Sequence, residues 1–143
     1  MATTAAYLVE GPRRDGLALV PEMSRRARGA ETWAALKSLG RDGVADLVDR
    51  CCRLAGRFAA GMRAVGLPVL NDVVLNQVMV SFGDAERTGR VIAAVQRDGV
   101  CWCGGTVWQG HAAMRVSVSS WATTEADIDR SIESVIGAAR TVN

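Results

Sequence analysis

The fold of this chain is decided by the stretch Ala113-Met-Arg-Val-Ser-Val-Ser-Ser-Trp-Ala-Thr-Thr-Glu-Ala-Asp-Ile-Asp129. Apolar residues such as Met114 and Val116 alternate with polar ones, which is typical of a half-buried strand. Thr124 stands three residues before Asp127, a variant of the capping box that starts a helix. The stretch therefore predicts a strand that leads into a final helix lying against a small sheet. The apolar stripe of that helix comprises Ile128, Ile132, Val135, Ile136 and Ala139.

The residues before this stretch alternate between strand and turn patterns. We expect a strand at 100–103, a tight turn at Gly104-Gly105, a short strand at 106–108 and a turn at 109–112. Further back, the pattern predicts a short strand at Val69-Leu70 and a longer one at 74–82.

Three helices are predicted in the remainder of the chain. Residues 24–39 form the first, with Trp33, Leu36 and Leu39 on its apolar side and Gly40 as its stop. Residues 41–65 form the clearest helix, and residues 85–97 follow an N-cap at Asp84. The order of elements predicts an α+β fold, in which a mostly antiparallel sheet is covered on one face by helices.

Length and composition are those of a soluble globular protein. The 143 residues suffice for one domain with a core, and 49% hydrophobic and 22% charged residues are ordinary values. A net charge of +2 gives no reason to expect a nucleic-acid partner. No apolar run approaches a membrane span, and the N-terminus lacks the pattern of a secretion signal. The four cysteines are therefore expected to be reduced thiols in the cytosol.

Few residues carry a chemical signal of their own. Cys101 and Cys103, two apart on a predicted strand, favour free thiols, buried or half-buried, over a metal site, which needs about four ligands. His111, the only histidine, favours an exposed turn residue over a general base. Lys37, the only lysine, favours an exposed helix position over a Schiff-base role. The default for the tryptophans in this region is packing in the core and on the sheet; they are Trp102, Trp108 and Trp121.

Three arginines crowd the start of the first predicted helix. Arg25, Arg26 and Arg28 lie where the helix dipole disfavours positive charge. Such a local conflict marks either a site or interface, or simply a solvated arginine face. The residues alone leave both interpretations open.

Several segments together resemble one enzyme family. The first runs from Pro21-Glu-Met-Ser-Arg-Arg-Ala-Arg28 to Trp33-Ala-Ala-Leu-Lys-Ser-Leu-Gly40, and it resembles the Pro…Arg-Arg-x-Arg…Trp…Leu…Gly segment of the group II pyridoxal-phosphate-dependent decarboxylases. This is the aromatic-amino-acid and glutamate decarboxylase family. Three later segments look like the C-terminal domain of its bacterial members: Leu70-Asn-Asp…Asn76-Gln-Val, Cys101-Trp-Cys-Gly-Gly-Thr-Val-Trp108 and Met114-Arg-Val-Ser-Val-Ser…Trp-Ala-Thr-Thr-Glu-Ala-Asp127.

The resemblance implies a C-terminal fragment of a fold-type I pyridoxal-phosphate enzyme. Residues 1–40 would be the end of the large domain, and residues 41–143 the connecting helix and the small domain. The family's cofactor lysine follows a histidine, and this chain has no such pair. The resemblance therefore implies that the chain is inactive alone. The whole protein would be a cytoplasmic homodimer that releases the α-carboxylate of an amino acid as CO2 with pyridoxal phosphate, without metal, nucleic acid or membrane.

The resemblance also assigns roles to two basic segments. The loop around Gly11, Arg13, Arg14 and Gly16 corresponds to a mobile loop that closes over the substrate. Arg25, Arg26 and Arg28 match an arginine-rich segment near the active site and the dimer interface. The alternatives are a non-catalytic dimerisation or binding module completed by a partner chain, and the small domain of another fold-type I enzyme such as an aminotransferase.

Overall fold

The structure, a computed structural model, describes residues 27–142. The chain divides into two compact units between Gly40 and Arg41. The elements in chain order are α1 (Arg28–Ala64), β1 (Gln77–Val80), α2 (Ala85–Asp98), β2 (Gly104–Trp108), β3 (His111–Ser117) and α3 (Glu125–Thr141).

Helix α1 is interrupted at Gly40. The backbone there has φ 64° and ψ −173°, a conformation that favours glycine, and this matches the predicted stop. In the first unit the predicted start at Ser24 lies outside the described residues, and α1 begins at Arg28. The residues predicted as an apolar side are exposed instead of packed: Trp33 64%, Leu36 54% and Leu39 45%.

The second unit contains a three-stranded antiparallel sheet in the order β1-β3-β2. The central strand is the one predicted from the stretch that decides the fold, although it begins at His111, which was expected in a turn. β1 is shorter than the predicted strand, because residues 71–76 form a loop. The predicted strand at Val69-Leu70 is reduced to a single bridge between Val69 and Val80.

The prediction for residues 100–105 is wrong. Val100–Cys103 is not a strand, and Gly104-Gly105, expected as a turn, begins β2. Pairing with β3 determines where the strand begins, because Gly104 lies opposite Arg115 and Trp108 lies opposite His111. The tight turn therefore falls at Gln109-Gly110. A Cβ on Gly105 would still lie 3.7 Å from Ile92 Cδ1 of α2, so α2 lies over this strand.

The core lies between one face of the sheet and the three helices. Val78 and Val80 of β1 lie opposite Val116 and Met114 of β3, so all four share the covered face. Helix α1 contributes the largest fully buried side chain, Phe58. The other helix residues in this cluster are Leu54, Ala55, Ala59, Met62, Val91, Val95, Ile128, Val135 and Ala139. The predicted α+β layout, with helices on one face of an antiparallel sheet, is confirmed.

Helices α1 and α3 approach each other closely. A Cβ on Gly61 would lie 2.6 Å from Ile132 Cδ1, so a glycine at this position lets the two helices meet. One turn earlier, Arg57 Nε donates to Asp129 Oδ1 at 2.7 Å, and Arg57 Nη1 lies 3.4 Å from Glu125 Oε2. Hydrogen bonding and the charge of Arg57 lower the pKa of Asp129. The order of these contacts shows that α1 and α3 run in the same direction.

Both helix caps predicted from sequence are present. The Asp84 carboxylate accepts from Arg87 N at 2.7 Å, and Thr124 forms a reciprocal capping box with Asp127. Arg87 links α2 to the end of α3, since its guanidinium donates to the carbonyls of Phe82, Ala139 and Val142.

Candidate functional site

Most of the predicted site residues lie outside the part of the chain that the structure describes. This holds for Arg25 and Arg26 and for the loop residues Gly11, Arg13, Arg14 and Gly16. Arg28 is described, and it lies exposed as the first residue of α1. Because Arg28 is exposed, its guanidinium is accessible to an anion, and the helix dipole disfavours its positive charge at this end of α1.

The two other residues weighed for chemistry are surface residues. Lys37 lies exposed on the part of α1 before Gly40, as predicted. His111 is exposed at the start of β3, opposite Trp108. Within residues 27–142, neither side chain forms a hydrogen bond or ion pair that would orient it as a nucleophile or a base.

The thiols of Cys101 and Cys103 are free, as predicted. Burial raises the pKa of Cys103 to about 11, and the neighbouring Cys101 adds to the rise. Burial also raises the pKa of Cys101, against a hydrogen bond to Ser131 that lowers it. Since the thiolate is the nucleophile, the raised pKa lowers the reactivity of both thiols.

We expect Cys103 to resist alkylation in the folded protein. With a pKa of about 11, only about 0.1% of the thiol is ionised at pH 8, so iodoacetamide should label Cys103 at least ~100-fold more slowly than in the urea-unfolded chain. The raised pKa also predicts that the native rate climbs with pH up to about 11. Quenched time points analysed by peptide mass spectrometry measure both rates. Equal rates before and after unfolding would contradict the assignment.

A shallow groove of about 340 Å3 lies in the loop before β1. Its lining residues are Asn71, Asp72, Val74, Leu75, Asn76 and Gln77. The polar groups of its two asparagines serve the backbone. Asn71 Nδ2 donates to Gln77 O at 3.0 Å, Asn71 Oδ1 accepts from Met79 N at 2.9 Å, and Asn76 Nδ2 donates to Val118 O at 2.9 Å. The two asparagine side chains thus hold the loop to β1 and to the segment after β3.

The described residues do not fit pyridoxal phosphate. That cofactor needs a lysine for its Schiff base, a partner for its pyridine nitrogen and donors for its phosphate. The groove offers Asp72 but neither lysine nor arginine, and Lys37 is on an exposed helix surface. Residues 27–142 therefore hold no complete site for this group.

Between residues 27 and 142, no three His, Cys, Asp or Glu side chains are grouped closely enough to hold a metal ion. Over the same range, no helix has the length and apolar character needed to span a membrane.

The tryptophans are the main error of the sequence-based prediction. Trp102 and Trp121 are each 77% exposed and Trp108 is 37% exposed, so none is a core residue. The core space above the sheet is instead filled by aliphatic side chains, methionine, Cys103 and the two phenylalanines Phe58 and Phe82.

Comparison with solved structures gives consistent matches. The chain superposes on Oryza sativa TDC with pyridoxal phosphate and tryptamine at a TM-score of 0.73 and 17% identity, covering 86% of this chain and 29% of that one. Catharanthus roseus tryptophan decarboxylase in complex with L-tryptophan gives 0.74 and 16%, covering 83% and 26%. Mouse CSAD gives 0.73 and 15%, covering 87% and 30%. The sequence matches no family model and no curated protein.

These matches agree with the fold implied by the sequence motifs. The chain spans less than a third of each of these solved chains but is itself almost entirely covered. At these identities the likeness concerns the fold. The chain has the fold of the C-terminal part of the group II pyridoxal-phosphate-dependent decarboxylases.

Proposed function

We propose that this chain is the C-terminal part of a pyridoxal-phosphate-dependent amino-acid decarboxylase, a carboxy-lyase. The observation that carries the proposal is the fold likeness, with TM-scores of 0.72–0.75 to the TDC, tryptophan decarboxylase and CSAD chains. The order of the sequence motifs supports it independently, because it follows the same family from Pro21 to Asp127.

In this proposal the cofactor site lies in polypeptide outside residues 1–143. The chain has one lysine, Lys37, and its position on an exposed helix does not suit a Schiff base. When bound, pyridoxal phosphate supplies the electron sink for loss of the α-carboxylate. The small domain then contributes packing and positioning for a site that the large domain builds.

The division of the chain supports the proposed domain assignment. Residues 1–40 would belong to the end of the large domain, and residues 41–143 to the connecting helix and the small domain. The boundary between the two compact units falls at the same place. We further propose that the complete protein is a cytoplasmic homodimer acting on an amino acid, with the loop at 11–16 closing over it.

An assay of two preparations tests the function. The first is the chain of residues 1–143 alone, and the second is the protein purified from its own cells by an affinity tag at its chromosomal locus, which retains flanking sequence and partner chains. With pyridoxal phosphate and a panel of amino acids, the second is expected to release CO2 and the first to show none above the uncatalysed background. The Lys37→Arg variant of the second should keep full activity, because Lys37 is not the cofactor lysine.

Each of the other outcomes would indicate a different function or assembly. Turnover by residues 1–143, lost in Lys37→Arg, would show that the chain carries its own cofactor site. With a 2-oxo acid added as amino acceptor, formation of a keto acid from the amino acid without CO2 would indicate an aminotransferase. A native-locus preparation without bound pyridoxal phosphate would rule out the proposed function. If the cofactor is bound to a separate chain, this chain would be a non-catalytic module that a partner chain completes.

We also propose that the arginine-rich segment contacts the cofactor or the substrate carboxylate. A charge-assisted hydrogen bond contributes roughly 1.5–3 kcal/mol, which corresponds to about 10–100-fold in affinity. We therefore expect at least one of the variants Arg25→Ala, Arg26→Ala and Arg28→Ala of the native-locus protein to lose about tenfold or more in kcat/KM or cofactor affinity. Arg140→Ala, at an exposed position in the last turn of α3, serves as the control. Unchanged values in all three variants would instead favour a solvated arginine face.

A further inference from the structure

The sheet has one covered edge and one open edge. On the outer side of β1, Val69 forms a bridge to Val80. Leu70 N donates to Met79 O at 2.8 Å, and Asn71 Oδ1 accepts from Met79 N at 2.9 Å. β2 is the other edge strand, and within the described part of the chain nothing forms hydrogen bonds with its outer side. An open edge of this kind is a template for a further extended strand.

The hairpin geometry identifies the free backbone groups of β2. The two residues between Trp108 and His111 both have positive φ, 47° and 83°, which is the pattern of a type I′ turn closed by a hydrogen-bonded pair. Hydrogen-bonded and non-hydrogen-bonded pairs alternate along an antiparallel ladder. The N–H and C=O groups of Gly105 and Val107 therefore point away from β3, towards the open edge.

β2 lacks the features that keep an edge strand from pairing. Its sequence, Gly-Gly-Thr-Val-Trp at 104–108, contains no charged residue and no proline. The side chain of Val107 is 72% exposed and that of Trp108 is 37% exposed. Because the strand carries no charge, two copies of it would meet without electrostatic repulsion.

The strand is also complementary to itself in size. When two copies of β2 run antiparallel about a twofold axis at Thr106, Val107 lies opposite Gly105 of the second copy, and Trp108 lies opposite Gly104 of the second copy. Each large side chain thus meets a glycine, an arrangement in which an aromatic or branched side chain covers the bare backbone of its neighbour. The two pairs between positions 105 and 107 use all the free backbone groups and exchange four hydrogen bonds.

We propose that two copies of this chain pair through β2 and form a continuous, six-stranded antiparallel sheet. A Cβ on Gly105 would lie 3.7 Å from Ile92 Cδ1, so Val107 of the second copy would pack beside the partly buried Ile92. The contact involves the second unit alone and does not depend on the proposed function. Two five-residue strands bury well under the ~1,600 Å2 of a standard interface, so we expect a weak dimer with a Kd on the order of 100 μM.

The Thr106→Cys variant of residues 1–143 tests the register. Position 106 lies opposite itself across the twofold axis in a non-hydrogen-bonded pair, where Cβ atoms approach to about 4.5–5.5 Å, close to the spacing that a disulfide needs. Ser117→Cys is the matched control, because Ser117 is exposed on the same face of the sheet but lies on the central strand.

Both variants are oxidised at about the expected Kd, with oxidised glutathione as the electron acceptor. We expect Thr106→Cys to give a covalent dimer linked from position 106 to position 106, at least tenfold above the covalent dimer from Ser117→Cys. Peptide mass spectrometry identifies the linked positions and separates them from links through the native cysteines. Circular dichroism checks that both variants fold.

Hydrogen exchange followed by NMR on the unaltered chain gives a second test that needs no variant. The amides of Gly105 and Val107 are free in the monomer, so their protection should rise about threefold or more between about 20 μM and 1 mM chain by mass action. The amide of Thr106 faces β3 in both states, so its protection should change less. This measurement decides the question if Thr106→Cys does not fold.

Several results would overturn the proposal. Equal covalent dimer from Thr106→Cys and Ser117→Cys would show random collision instead of a β2 contact. Self-association with concentration-independent exchange at Gly105 and Val107 would place the dimer contact elsewhere, and a chain that stays monomeric at 1 mM would have no such contact. None of these results bears on decarboxylation, and a native-locus protein without decarboxylase activity would leave the β2 contact standing.

Discussion

Replacing Phe58 by alanine is expected to lower the free energy of unfolding by about 3–5 kcal/mol, the usual loss for a buried phenylalanine. Phe58 is 0% exposed and belongs to the cluster that joins α1 to the sheet and to α3. The truncation removes apolar contacts and leaves a cavity that the surrounding helices fill only partly. Urea denaturation followed by circular dichroism measures the change on the second unit.

Two further variants serve as controls for Phe58→Ala: one at an exposed position, and one that is used if Phe58→Ala does not fold. Val48→Ala, at an exposed position on the same helix, should change the free energy of unfolding by less than about 0.5 kcal/mol. If Phe58→Ala does not fold, Phe58→Leu should fold with an intermediate loss, because it leaves a smaller cavity. A loss from Phe58→Ala no larger than that from Val48→Ala would show that α1 does not pack on the sheet as described.

Replacing Arg87 by methionine is expected to lower the free energy of unfolding by about 2 kcal/mol or more. The Arg87 guanidinium donates to Phe82 O at 3.2 Å, to Ala139 O at 3.3 Å and to Val142 O at 3.4 Å. Hydrogen bonds to a charged group contribute roughly 1.5–3 kcal/mol, and these are long, so the set counts for about one good bond. Two of the carbonyls lie at the C-terminus of α3, where positive charge also favours the helix dipole.

A neighbouring arginine on the same helix provides the control for Arg87→Met. Arg90 forms a surface pair with Glu86 four residues before it, and Arg90→Met should lower the free energy of unfolding by about 0.5 kcal/mol or less. Arg87→Lys keeps the charge but loses the fork, so it should restore only part of the loss. Hydrogen exchange of the last turn of α3 gives a local measurement, and unchanged protection in Arg87→Met would contradict the link.

The elements that sequence predicted well are those specified locally. The start of α3 follows from Thr124 and Asp127, three residues apart, and the start of α2 follows from Asp84. The central strand follows from alternation within seven residues. In each case the residues that determine the structure lie within one or two turns or one strand of each other.

The elements that sequence missed depend on distant partners. Whether Gly104-Gly105 turns or pairs is decided by Arg115 and Met114, which lie about ten residues away on β3. A tryptophan side chain is large and mostly apolar, so sequence alone favours a place in the core. At positions 102 and 121, only the three-dimensional arrangement shows that nothing within residues 27–142 covers it. For the candidate site, the sequence-based prediction can be compared with the structure only at Arg28, because the other predicted site residues lie outside the described residues.

The strand order β1-β3-β2 has a consequence for synthesis on the ribosome. The central strand is made last, and Ile128, Val135 and Ala139 of α3 complete the core after it. At roughly 5–20 residues per second, the stretch from Met62 to Thr141 takes about 4–16 s to translate. During that time the buried side of α1 has neither sheet nor α3 to cover it, which makes the nascent chain a natural client for chaperones that bind apolar helices.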